Sequence, residues 1–106
     1  MGVQIHDCKQ GVTSIFLTPT SVNPFLSVEQ TFTLPGATTD MMLSAVNKPT
    51  AQAGLGIVGL RIPAANQIAI TYMNDTIGAI TPTAESYRIH WIRPEIPANS
   101  TPVINI

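Results

Sequence analysis

A chain of 106 residues with a formal net charge of −1 has the length of one domain, long enough to bury a core without disulfides or metals. Its basic residues are few and scattered, which argues against nucleic acid as the main partner. No apolar run approaches the ~18–20 residues that span a bilayer, so no membrane partner is expected. Hydrophobic residues make up 44% of the chain and charged residues only 10%, against about 25% charged in a typical domain. Too few charges remain to cover a solvated surface, and we therefore expect a subunit whose surface is largely covered by partners.

The first dozen residues, MGVQIHDCKQGV, carry no recognisable targeting signal. They lack the basic segment and apolar core of a secretory signal. His6 stands where a myristoylation signal needs Ser or Thr. The single cysteine, Cys8, cannot form an intrachain disulfide. We therefore expect synthesis and residence in a reducing cytoplasm.

Three strands are predicted in the first half of the chain. Residues 1–12 are predicted to form a first strand or a loose arm, and residues 13–17 (TSIFL) a short strand before a turn-rich segment. Residues 27–34 alternate between apolar and polar side chains, which predicts a strand with one face inward. Residues 41–47 have two interpretations: a helical turn capped by Asp40, or a strand. The segment is short for a helix, so the strand is favoured.

Residues 55–62 are predicted as a strand with bulges or close backbone approaches, because Gly54, Gly56 and Gly59 interrupt its apolar residues. The spacing GxGxxG also matches a dinucleotide-binding fingerprint, which requires a helix that opens on the glycines. Pro63 cuts off any such helix, and the next segment alternates as a strand. The glycines are therefore predicted to serve strand geometry.

Two strongly alternating runs, residues 67–74 and 86–93, predict the central pair of strands, because period-two spacing places their apolar side chains on one face. The predicted hydrophobic face includes Phe32, Ile68, Ile70, Ile89 and Trp91. The segment between the runs is rich in Asn, Asp, Gly and Pro, and is too long for a tight hairpin. Together the runs predict an all-β, single-domain antiparallel β-sandwich or jelly-roll-like fold over residues 1–93.

Residues 94–106 are predicted to form an extended C-terminal arm, because their three prolines remove backbone donors and favour an extended path. The arm is predicted to dock on a neighbouring molecule. Its apolar residues are the candidate assembly interface: Ile96, Val103, Ile104 and Ile106. The alternative is that the tail packs along its own domain and covers an apolar seam.

The chemistry-bearing residues do not predict an active site. His6, Asp7 and Cys8 are the residue types of a thiol enzyme, but neighbours on a strand point to opposite faces. The other histidine, His90, is predicted on the face opposite Tyr87, Ile89 and Trp91. Two histidines and one cysteine lack the spacing of a zinc site, and the acidic residues are isolated. We therefore expect no enzyme activity, no metal and no cofactor.

Three segments carry a resemblance to a known class of proteins: AQAGLGIVGLRI, AANQIAITYMN and TPTAESYRIHWIRP. They lie in the part of the chain, about half to two-thirds of it, that resembles small virion proteins of tailed bacteriophages. This resemblance implies a β-sandwich subunit of the capsid decoration, or cement, type, made in the host cytoplasm and bound to the capsid exterior. It also implies self-association, with a homotrimer favoured and a dimer possible, and the major capsid protein as partner. It transfers no functional residues.

A second class of function stays open, a tail- or fibre-associated module that binds a receptor or carbohydrate through Tyr72, Tyr87 or Trp91. Aromatic residues make up only 6% of the chain, which leaves little stacking surface for sugars. The low aromatic content favours the structural role.

Overall fold

The computed structural model describes residues 7–95. They form six strands in two three-stranded antiparallel sheets. The strands are β1 (Asp7–Leu17), β2 (Leu26–Thr33), β3 (Met42–Asn47), β4 (Leu55–Arg61), β5 (Gln67–Asn74) and β6 (Glu85–Glu95). Sheet I has the order β1–β6–β3, and sheet II has the order β2–β5–β4. The two sheets enclose one core, which confirms the predicted all-β sandwich.

Each predicted strand exists, with shifts at the ends. Residues 42–47 are a strand and not a helical turn. β1 begins at Asp7, so much of the predicted first segment is ordered as part of sheet I. β6 extends through Pro94 to Glu95. β3 makes its last pair with Ile92, so Pro94 lies where β6 has only β1 beside it, a position where a missing N–H is tolerated.

The remainder of the predicted arm lies outside the described residues. The four candidate interface residues all fall in this part: Ile96, Val103, Ile104 and Ile106. Their predicted role stays a prediction.

β5 and β6 are central strands as predicted, but each is the centre of a different sheet. They therefore face each other across the core and do not pair. Ile68, Ile70 and Ile89 of the predicted hydrophobic face are fully buried between them. Phe32 packs against this core from β2, partly buried. Trp91 is half-buried and lies on the inner side of sheet I.

Trp91 contacts a glycine on the neighbouring strand. Trp91 is paired with Gly11, and a Cβ on Gly11 would lie 2.7 Å from the ring atom Cζ2. The indole N–H donates a hydrogen bond to Thr13 Oγ1 at 3.1 Å. The ring thus occupies the space that a side chain at position 11 would need, an aromatic–glycine cross-strand contact.

The glycine-rich segment lies in and just before β4. The register with β5 shifts between Ile57 and Gly59, which is the bulge that the glycines predicted. Gly54 has a φ of +79°, and a Cβ there would lie 2.1 Å from Thr76 Cγ2. A turn and then β5 follow β4, where a dinucleotide site would require a helix. The glycines therefore serve strand and turn geometry.

The connection from β5 to β6 is organised by Asn74, the last residue of β5, which is fully buried. Its amide nitrogen donates to the carbonyl oxygens of Val22, at 3.0 Å, and Gly78, at 2.8 Å. Its side-chain oxygen accepts from the backbone N–H of Thr76 at 2.9 Å. These bonds satisfy a buried amide and fix the path by which the chain crosses from sheet II to sheet I.

A candidate interface on the outer face of sheet I

The side chains of sheet I that point away from the core form a continuous surface, called here the open face. It consists of Cys8, Gln10, Val12, Ser14 and Phe16 from β1, Ser86, Arg88, His90, Ile92 and Pro94 from β6, and Met42, Ser44, Ala45 and Asn47 from β3. None of the described residues covers it: Val12, Phe16 and Met42 are 64%, 63% and 57% exposed. Arg88 is the single charged side chain in this set. Sheet faces with exposed apolar side chains and so little charge are typical of interaction surfaces.

The outer face of sheet II is different. Its outward positions on β2 are Ser27, Glu29, Thr31 and Thr33. Glu29 on β2 and Arg61 on β4 form a two-pronged ion pair, with N–O distances of 2.8 and 2.7 Å, across the central strand. Ala69, between them on β5, is fully buried. Val58 and Met73 are also exposed on this side, at 59% and 44%, but the outer face of sheet II carries a charge pair and the open face of sheet I does not.

A row of three polar side chains crosses the middle of the open face. His90 on β6 lies between Ser44 on β3 and Gln10 on β1, with its Nδ1 against Ser44 Oγ and its Nε2 2.9 Å from Gln10 Oε1. Gln10 Oε1 only accepts, so Nε2 carries the hydrogen of that bond. A Ser–His contact is also the starting point of nucleophilic catalysis. Here the row lies on an uncovered sheet surface and its members satisfy one another, so we interpret it as a clip across three strands.

A nearly buried ion pair holds the loops at one end of the sandwich. Lys48 Nζ lies 3.0 Å from Glu85 Oε2, with 10% and 13% of the two side chains exposed. Thr50 donates to the same carboxylate through its backbone N–H and its hydroxyl, the latter at 2.8 Å. Burial raises the pKa of the Glu85 carboxyl, but the hydrogen bonds from Thr50 and Lys48 outweigh burial and hold that pKa below its ordinary value.

Two shallow clefts lie beside these loops, along the edge of β4. One of about 370 Å³ is lined by residues that include Lys48, Gln52 and Ile57, and one of about 250 Å³ by residues that include Gly54 and Met73. Neither includes Gln10, Ser44 or His90. Three polar side chains around the larger cleft are engaged. Lys48 and Thr50 bind Glu85, and Gln52 binds Lys48 and the backbone of the β5–β6 connection.

The aromatic residues considered for sugar binding are not presented to solvent. Tyr72 and Tyr87 are fully buried, and Trp91 is half-buried with its N–H engaged. Burial raises the pKa of the Tyr72 phenol, and its hydrogen bond to Tyr87 adds to that effect. The alternative function therefore loses the residues that were proposed to carry it. The aromatic side chains that are strongly exposed are Phe16 and Phe25.

The open face was not predicted from the sequence. A signal for it was present in residues 12–17 (VTSIFL), where apolar residues occupy both alternating sets of positions. Ile15 and Leu17 point inward, and Val12 and Phe16 point outward. Such a run is typical of a strand covered on both faces. Of the sequence-predicted residues, Cys8 and His90 lie on the open face, and His6 lies outside the described residues.

Comparison of the chain with protein-family models, with curated proteins and with solved structures gave no match. Within residues 7–95, no three His, Cys, Asp or Glu side chains lie together as a metal site would require. The same residues include no helix with the length and apolar character needed to cross a bilayer.

Proposed function

We propose that the protein is a non-enzymatic structural subunit of a bacteriophage virion, which binds the major capsid protein lattice and stabilises it as a decoration, or cement, protein. The observation that carries the proposal is the open face, an exposed sheet surface with apolar side chains and one charge. A protein that works as a single solvated copy gains nothing from such a surface, whereas a subunit of an assembly buries it.

The sandwich itself supports this role. Three side chains of types that often serve chemistry or recognition stabilise the fold instead: Tyr72, Asn74 and Glu85 each bind another part of it. The resemblance of the C-terminal two-thirds to small virion proteins supplies the capsid as the assembly. Self-association and the capsid exterior as location belong to the same proposal.

The test is to purify intact particles of the phage that encodes the chain and to measure the copy number relative to the major capsid protein by quantitative mass spectrometry. A decoration protein is expected in a fixed, high ratio to the capsid protein. Particles that lack it are expected to release their genome at a lower temperature, with recovery when the purified protein is added back. Absence from the particles, or a few copies confined to the tail, would refute the proposal.

A further inference from the structure

We infer that the open face binds the open face of a second copy, so that the protein forms a two-fold dimer in which two sheets I stack face to face. This inference rests on the proposed structural role and deepens it by naming a partner and a surface.

The chemistry of the face selects its occupant. With Arg88 as its single charged side chain, it offers little complement to a strongly charged partner, and a nearly neutral sheet of the same shape matches it. Sheets stack about 10 Å apart through interdigitated side chains. Val12, Phe16 and Met42 are exposed and available for such stacking.

The flat area of the face is more than half of the accessible area that each partner contributes to a standard interface. Its strands have 11, 11 and 6 residues. At about 4.8 Å between strands and 3.4 Å per residue, they span a flat area of about 450 Å². The ~800 Å² per partner of a standard interface is an accessible area, which follows the relief of the side chains and is therefore larger than a flat area.

The polar groups at the centre of the face are prepared for burial. His90 is bonded through both ring nitrogens, to Ser44 and to Gln10, within one chain. Polar groups that already have partners lose fewer hydrogen bonds to water when a second molecule covers them. The His90 ring can therefore lie inside an interface without matching groups on the partner.

Arg88 selects the symmetry. It lies on the central strand, two residues from His90. A two-fold axis that lies in the plane between the two stacked faces, perpendicular to the strands and over His90, separates the two arginines by about 14 Å along the strands, each toward the rim. A three-fold arrangement of the faces around an axis along β6 brings three arginines together, with no carboxylate on the face to offset their repulsion. The dimer is therefore selected over the trimer.

The test compares two double variants by sedimentation equilibrium. V12T/F16T removes two exposed apolar groups from the open face, and V58T/M73T removes two from the outer side of sheet II, where Val58 and Met73 are 59% and 44% exposed. We expect the wild-type chain, 11.3 kDa, to associate to twice that mass. V12T/F16T should raise the dimer Kd at least tenfold, and V58T/M73T should change it less than threefold. Ala45→Lys adds a charge to the open face without removing a large side chain, and it should also weaken the dimer. It replaces V12T/F16T as the test if that double variant folds poorly.

Two further measurements test the alternatives to this dimer: a trimer, and association through residues 96–106. Arg88→Ala should leave the protein a dimer. If this variant instead has the mass of a trimer, the two-fold arrangement is wrong. A chain ending at Glu95 should still dimerise; loss of association on that truncation alone would show that residues 96–106 are the docking element instead.

Particle binding is measured separately, so that this inference and the proposed function fail differently. A dimer that does not bind capsids refutes the decoration role and leaves the interface standing. A wild-type monomer overturns the dimer inference. If that monomer binds capsids and V12T/F16T does not, the open face is the capsid-docking surface and the decoration role holds.

Discussion

The phenol oxygens of Tyr72 and Tyr87 lie 2.8 Å apart in the middle of the core, and this hydrogen bond joins the central strand of sheet II to the central strand of sheet I. Both side chains are fully buried. Each hydroxyl therefore satisfies a group that would otherwise be without a partner in an apolar interior. The bond makes the stacking of the two sheets specific, because the oxygens meet only when the sheets pack in this arrangement.

Replacing one tyrosine by phenylalanine is expected to destabilise the fold. Tyr72→Phe or Tyr87→Phe leaves the remaining hydroxyl buried without this bond, at a cost of about 1–3 kcal/mol. The double variant is expected to cost less than the sum of the singles, because it removes both polar groups. Urea unfolding of the four proteins gives the coupling, and additive single effects would show that the bond contributes nothing.

Gly54 is expected to resist substitution while Gly56, two residues further on, tolerates it. An alanine at Gly54 must adopt a φ of +79°, and its Cβ would collide with Thr76. A Cβ at Gly56 meets no atom within 4 Å. We expect Gly54→Ala to lower the free energy of unfolding by about 1–3 kcal/mol and Gly56→Ala to change it by less than about 0.5 kcal/mol. Equal effects in thermal unfolding would refute the role of the turn.

The Lys48–Glu85 pair is expected to make stability depend on pH in the acid range. The folded-state pKa of Glu85 is held below its ordinary value of 4.5, so the stabilisation is complete above that pH and is lost as the pH falls through the folded-state pKa. Glu85→Gln should lower the Tm at pH 7 and flatten its decline below pH 4.5.

The matched control is Glu29→Gln, which removes the exposed pair with Arg61, in which 37% and 61% of the two side chains are exposed. Salt screens exposed charges more than buried ones. We expect the Tm change from Glu29→Gln to be small and to vanish in 0.5 M salt, while that from Glu85→Gln persists. The same salt response in both variants would contradict the difference in burial.

Gly11→Ala is expected to displace the ring of Trp91, because the new Cβ would lie 2.7 Å from Cζ2. The displaced indole loses its hydrogen bond to Thr13 and becomes more exposed. Since the chain has a single tryptophan, its fluorescence emission should shift to longer wavelength. Gly78→Ala is the control, because a Cβ there meets no atom within 4 Å. An unchanged spectrum in Gly11→Ala would show that the ring does not depend on this contact.

The sequence by itself determined where most of the strands lie and which of their faces form the core. Period-two alternation is a local property, set by the opposite directions of successive side chains, and it placed Ile68, Ile70 and Ile89 in the core. The glycines before and within residues 55–62 likewise predicted a bulge, because the residue types that tolerate a left-handed φ or a close approach are few.

Only the tertiary structure decided which strands pair and whether the outward faces of the two sheets are covered or exposed. The two most regular strands, β5 and β6, belong to different sheets, and nothing local to either strand encodes that choice, because pairing joins residues far apart in sequence. The partners of Tyr72 and His90 come from other strands for the same reason. The open face was hidden in the sequence because Val12 and Phe16 have the character of core residues. They are exposed because residues 7–95 provide only two layers, and the inner faces of both are already used.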